Sequence, residues 1–178
     1  MAGSRTKVIK NVKKGKIKRK ITKVGDIIFD SKTEADFYSY LLTEQKKGNV
    51  IDIKLQPEFI LQPKFFILNG ELVTEDMPYY SKYNKERLKY NKDNPEDKVN
   101  IVQAIKYISD FEVLYKDGIK KVIDVKGIKT ADFKIKEKML LLKYPSIKFE
   151  CVCWDGKDKK WREYNEYNKI KKERKKKK

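Results

Sequence analysis

Asp110, Asp124 and Lys126 have the residue types and the spacing to meet on one face of a small sheet. Ile105–Tyr115 and Ile119–Val125 are rich in β-branched and aromatic residues, and Lys116-Asp117-Gly118 between them is a turn signal. A two-residue loop at Asp117-Gly118 pairs residues whose numbers sum to 235, which sets Asp110 against Val125. A three-residue loop with Gly118 left-handed in a bulge gives a sum of 234 and sets Asp110 directly across from Asp124. Period-two alternation then carries Lys126 to the same face.

The second register is favoured by what it does with the charges. Carboxylates directly opposite in adjacent strands have Cβ atoms roughly 5 Å apart and destabilise the pair unless something compensates. A hard divalent cation such as Mg²⁺ removes that repulsion, polarises a phosphoryl oxygen and lowers the pKa of a bound water. The Lys126 ammonium can orient the attacking water or meet the charge of the transition state. The expected chemistry is metal-supported phosphodiester hydrolysis. The plain alternative is three ordinary charges on a wet strand face.

The elements that must position this group begin with a helix. Asp30-Ser31-Lys32-Thr33-Glu34 opens a stretch with Ala35, Tyr38, Leu41 and Leu42 at helical spacing, ending near Gly48. Ser31-x-x-Glu34 is a capping box, so Glu34 serves either the site or a bond back to the Ser31 amide. A second helix follows Asp124, with Ile135, Met139 and Leu142 as its buried face. Lys134 and Lys138, four apart, share another face that can meet a phosphate backbone.

The stretch Gly25–Ala35, Leu55-Gln56-Pro57-Glu58-Phe59 with its echo Leu61-Gln62-Pro63, Tyr107–Phe111, Asp124–Gly127 and Lys143-Tyr144-Pro145 resembles a small phage-encoded family of the PD-(D/E)XK nuclease superfamily. The resemblance covers roughly residues 24–153, one insertion apart. It implies an α/β fold: a restriction-endonuclease-like αβββαβ core, a mixed central sheet flanked by helices, with flexible basic tails. It implies Asp110, Asp124, Val125 and Glu34 around the metal, Mg²⁺ or Mn²⁺, and Lys126 as the catalytic lysine. Gln56 is either adjacent to the site or only a strand-entry residue before Pro57. Similarity to Holliday-junction resolvase-like endonucleases makes branched or duplex DNA the expected partner and a homodimer a possible assembly.

Composition agrees, unevenly. The formal charge is +18 over 178 residues. Met1–Lys23 holds ten basic residues and no acidic one, while Lys169–Lys178 holds eight basic residues and Glu173. The body between them is nearly neutral. The expected organisation is a basic arm (1–23), one domain (24–168) and a basic tail (169–178). Lys169, Lys171, Lys172 and Arg174 of that tail are expected to make salt-sensitive contacts to DNA.

Absences narrow the chemistry. With no histidine in the chain, Ser-His triads and every histidine general base are excluded. Cys151 and Cys153, two apart on the strand-like run Lys148–Trp154, are too few for a closed zinc site and suit a buried pair in a reducing cytoplasm. No phosphate-binding G-x-x-x-x-G-K-[ST] loop is present, so no nucleotide cofactor is expected. No secretory signal or membrane span is expected either, and the anticipated location is the cytoplasm, of the host if phage-encoded.

Val50–Ile53 and Phe65–Leu68 read as short strands, interrupted by Pro57 and Pro63. Gly70–Asn100 is a polar insertion with Tyr79, Tyr80, Tyr83 and Tyr90 and a possible helix at Ser81–Tyr90. It reads as a flap stacking on exposed bases or as a plain surface insertion. Trp161–Tyr167 starts a helix running into the lysine tail. Besides the endonuclease, two readings stand: an inactive nuclease-fold DNA-binding module, and a basic RNA-binding protein.

Overall fold

In the computed structural model, which describes residues 22–73 and 99–176, β9 (Phe111–Tyr115) turns into β10 (Lys120–Val125) through Lys116-Asp117-Gly118. Gly118 is left-handed at φ +79°, where glycine carries no Cβ penalty. The Tyr115 N–H donates to the Ile119 carbonyl at 2.9 Å. The ladder runs from Lys120↔Leu114 to Ile123↔Phe111, the register of the three-residue loop.

These strands are the centre of a five-stranded mixed sheet. β3 (Val50–Leu55) pairs antiparallel with β9, and β11 (Lys148–Asp155) lies parallel to β10. β12 (Lys160–Glu163) closes the far edge against β11. A parallel pair needs a crossover, which α2 (Ala131–Lys143) supplies. With α1 (Lys32–Lys46), the elements of this body follow the order α1–β3–β9–β10–α2–β11. The fold is mixed α/β.

The sheet is covered on both faces. Ile123, Val125, Phe111 and Val113 pack with Ala35, Phe37 and Leu41 of α1. On the other face Cys151 and Tyr107 pack with Phe133 and Leu140 of α2. Val122–Val125 are therefore buried one after another, as in a central strand. Both cysteines are buried free thiols, as expected.

Helix phase departs from expectation. In α2 the buried residues are Phe133 and Leu140, whereas Ile135 is 59% exposed and Leu142 85% exposed. Of the expected Ile135/Met139/Leu142 face only Met139 packs on the core, half-buried beside Phe133 and Leu140, while Ile135 and Leu142 face outward. In α1 Phe37 is buried, a position the helical spacing did not mark.

The run Ile105–Tyr115 is two strands, β8 (Ile105–Ile108) and β9, bent at Ser109-Asp110. Opposite β8 lies β4 (Glu58–Gln62), a strand not expected between Pro57 and Pro63. Leu55↔Phe111 before the bend and Glu58↔Ile108 after it keep one register, bridged by Gln56 N–H to the Asp110 carbonyl (3.0 Å) and Ser109 N–H to the Pro57 carbonyl (3.1 Å). Past a bulge the same ribbon continues into β5 (Phe65–Leu68) and β7 (Val99–Val102), with β6 (Glu71–Val73) on the outer edge. The ends of the expected insertion at 70–100 are therefore strands. Its tyrosines and the Ser81–Tyr90 helix lie outside the described residues, as does the arm through residue 21.

Both ends of the described body differ from the expected tails. Thr22–Val24 is β1, in a hairpin with β2 (Ile27–Phe29). Trp161 lies in β12, and the helix α3 starts at Tyr164 and runs to Lys176. Residues 169–176 thus belong to a helix docked on β11 and β12 rather than to a flexible tail.

Candidate functional site

Asp124, near the end of β10, is 1% exposed. Its Oδ2 accepts a hydrogen bond from the Tyr107 hydroxyl at 2.5 Å. The Lys126 Nζ lies 2.6 Å from Oδ1. This ion pair is the sole partner of the buried Oδ1 among the described residues. The Lys126 N–H continues the parallel ladder to the Val152 carbonyl at 2.9 Å, and its ammonium stands 5.4 Å from the Phe133 ring centroid. Burial pulls the Lys126 pKa down, but Asp124 first, then Asp110 and Glu34, outweigh it and leave the ammonium firmly protonated.

Asp110 sits in the bend, one residue beyond the last β9–β10 pair and opposite Asp124 in the same register. Its Oδ2 accepts the Val125 N–H at 2.7 Å. Burial and the Asp124 charge push its pKa up to about 7; Lys126 and the Val125 amide offset part of this, and Glu34 adds to it. Two carboxylates sharing a site cannot both ionise freely without a compensating charge.

Glu34 lies in the first turn of α1. With Gln56, Asp110, Ile27, Phe29 and Leu55 it lines a cleft of about 110 Å³. Ser31 caps the helix by accepting the Glu34 N–H at 3.2 Å, and its hydroxyl donates to Glu34 Oε1 at 2.7 Å. The return bond therefore runs to the Ser31 hydroxyl, not its amide, and Glu34 combines cap and cleft wall.

Gln56 is more than a strand-entry residue. Left-handed at φ +49°, it turns the chain at the bend and tethers Asp110 through the main chain. The Val125 side chain is buried in the α1-facing core, so only its carbonyl can contribute to a metal site. Lys134 and Lys138 are exposed on α2, and Lys169, Lys171 and Lys172 on α3. Arg174 departs from its expected role: its guanidinium is committed to Asp155 (2.9 and 3.1 Å) and Asp158 (2.7 Å).

Tyr107 and Ser109 are the functional neighbours that sequence reasoning missed. In an unbroken strand Tyr107 and Asp110 point to opposite faces, so parity kept the phenol apart from the acids. The bend cancels that rule. Ser109, fully buried, holds the bend against β10 by donating to the Ile123 carbonyl at 2.7 Å.

Residues 13–163 match the model of a family described as "Protein of unknown function (DUF1064)". The chain belongs to that family. No curated protein and no solved structure matches it.

The matched span of this DUF1064 protein contains every residue of the cluster and stops where α3 begins. Among the described residues no three or more Asp, Glu or Cys side chains are gathered closely enough to hold a metal ion. The oxygens present are of the type a hard divalent ion takes: the neighbouring Asp110 and Asp124 carboxylates, with Asp124 Oδ1 met only by the Lys126 ammonium. A metal held here would have to draw on Asp110, Asp124, Glu34 and the Val125 carbonyl, the residues that the resemblance implies.

Proposed function

We propose that this DUF1064 protein is a metal-dependent DNA endonuclease that hydrolyses phosphodiester bonds, with branched DNA of the Holliday-junction kind as its preferred substrate class. The observation that carries the reading is the meeting of Asp110, Asp124 and Lys126 at the strand tips, with Glu34 arriving from α1. The order α1–β3–β9–β10–α2–β11 supports the restriction-endonuclease-like core, being the αβββαβ order that the resemblance implies.

A bound Mg²⁺ or Mn²⁺ would polarise the phosphoryl group and lower the pKa of the attacking water. The protein's own residues prepare for that chemistry. Tyr107 and the Val125 N–H each fix one carboxylate oxygen, so neither acid has to reorganise. Lys126, charged and partly exposed, orients the water or meets the negative charge that grows on the phosphoryl oxygens. Basic residues at the two ends of the chain supply affinity for phosphates without reading sequence.

A second reading, a nuclease-fold DNA-binding module without activity, draws on the Lys126–Asp124 ion pair, which neutralises Asp124 with no metal at all. Cleavage of end-labelled duplex, nicked, flap and four-way-junction DNA, and of RNA, with Mg²⁺ or EDTA, separates the readings. Cutting that requires both the metal and Asp124 supports the endonuclease and ranks its substrates. Tight binding without cutting under any metal replaces it by the inactive module, and a preference for RNA replaces both.

A further inference from the structure

A second cleft lies away from the carboxylates, between α1 and the β11–β12 edge of the sheet. Among the described aromatic side chains only Tyr40 (41%) and Trp154 (44%) are exposed, and both line one open cleft of about 540 Å³. The cleft is completed by Trp161, Asp36, Lys159 and Lys160.

Its aromatic wall is built, not incidental. Trp154 and Trp161 are direct cross-strand partners with ring centroids 5.3 Å apart at 62°. Trp161 is anchored from below by the Phe37 ring, edge-on at 4.8 Å. Lys159 and Lys160 form no ion pair among the described residues, so with Asp36 the only acid in the lining the cleft carries net positive charge beside flat apolar rings.

We propose that this cleft binds an unpaired base of single-stranded DNA, stacked on Trp154 and Tyr40, with Lys159 and Lys160 against the flanking phosphates. Stacking on aromatic rings tolerates any base, because every base has a π-face, and lysines track the backbone. Asp36 on the opposite side can accept a hydrogen bond from a base N–H. The inference takes from the proposed function only that the ligand is DNA, and it would favour substrates with a single-stranded arm.

The two tryptophans of the chain both line this cleft, so selectively excited tryptophan fluorescence reports on it without the eleven tyrosines. The experiment uses the full chain carrying Asp124→Asn, in EDTA, so that nothing is cut. Oligothymidylate and a base-free phosphodiester chain of equal length are titrated at ~0.3 M salt, where contacts from the basic ends are weakened. The expected result is quenching by oligothymidylate and little by the base-free chain. Trp154→Ala should weaken oligothymidylate binding about tenfold, with Trp154→Phe restoring most of it. Tyr40→Ala, on the other wall, should repeat the loss if Trp154→Ala melts early. Equal quenching by both chains, quenching by neither, or unchanged affinity in folded variants overturns the site. Lack of cleavage by the wild type would not, since no step here depends on the carboxylates.

Discussion

Tyr107, before the bend in the β8–β9 ribbon, donates its phenolic proton to Asp124 Oδ2 at 2.5 Å, binding the ribbon to the central strand at the candidate site. Burial first, then the Asp124 charge, drives the Tyr107 pKa far up, so the phenol stays a donor throughout the working pH range. Removing it leaves a buried carboxylate oxygen unsatisfied. Tyr107→Phe is expected to cost about 2 kcal/mol of stability, as for a hydrogen bond to a charged group, and to lower kcat more than it raises KM. Denaturant melts and steady-state cleavage measure the two effects.

Asp124→Asn is expected to abolish metal-supported cleavage while keeping or increasing DNA affinity, because a negative charge beside the phosphate is lost. Cleavage and filter-binding assays on one preparation compare them. Equal loss of both would identify a structural aspartate, as its burial and two partners allow.

Relief of carboxylate repulsion gives the metal a signature in stability. Mg²⁺ should raise the Tm of the wild type and leave that of Asp110→Asn unchanged, since ligand binding to the folded state stabilises by mass action. In EDTA, Asp110→Asn should melt above the wild type, because burial and Asp124 both penalise the Asp110 charge. Thermal melts at pH 8 with and without Mg²⁺ check both statements.

The Asp155 cluster sets an acid limit. Asp155 is held well below the usual carboxylate range, first by the Arg174 hydrogen bonds, against the effect of burial, and further by the Lys157 and Asp158 amides and Arg162. A folded pKa below the unfolded one contributes stability above pH ~4 that is lost as the pH falls toward the folded value. Asp155→Asn should therefore lower the Tm at pH 7 and flatten its decline between about pH 4 and 2.

Charge on α3 is expected to divide into two kinds. Replacing Lys169, Lys171 and Lys172 by Gln should weaken binding to all DNA sequences alike, with the Tm unchanged. The salt slope should fall by about 0.9 for each phosphate that these lysines no longer neutralise. Arg174→Gln should instead lower the Tm, because it uncouples α3 from Asp155.

What the sequence determined by itself was local. Lys116-Asp117-Gly118 placed the β9–β10 turn and limited it to two registers, of which the one that sets Asp110 against Asp124 is formed. Ser31 marked the start of α1 because a cap bonds within its own turn. Tertiary structure decided the rest. The bend at Ser109-Asp110 brings Tyr107 onto Asp124, Phe133 rather than Ile135 turns α2 inward, and Arg174 spans 19 residues to reach Asp155. Each depends on contacts between distant segments, whose free energy exceeds the local preference that a short window of sequence expresses.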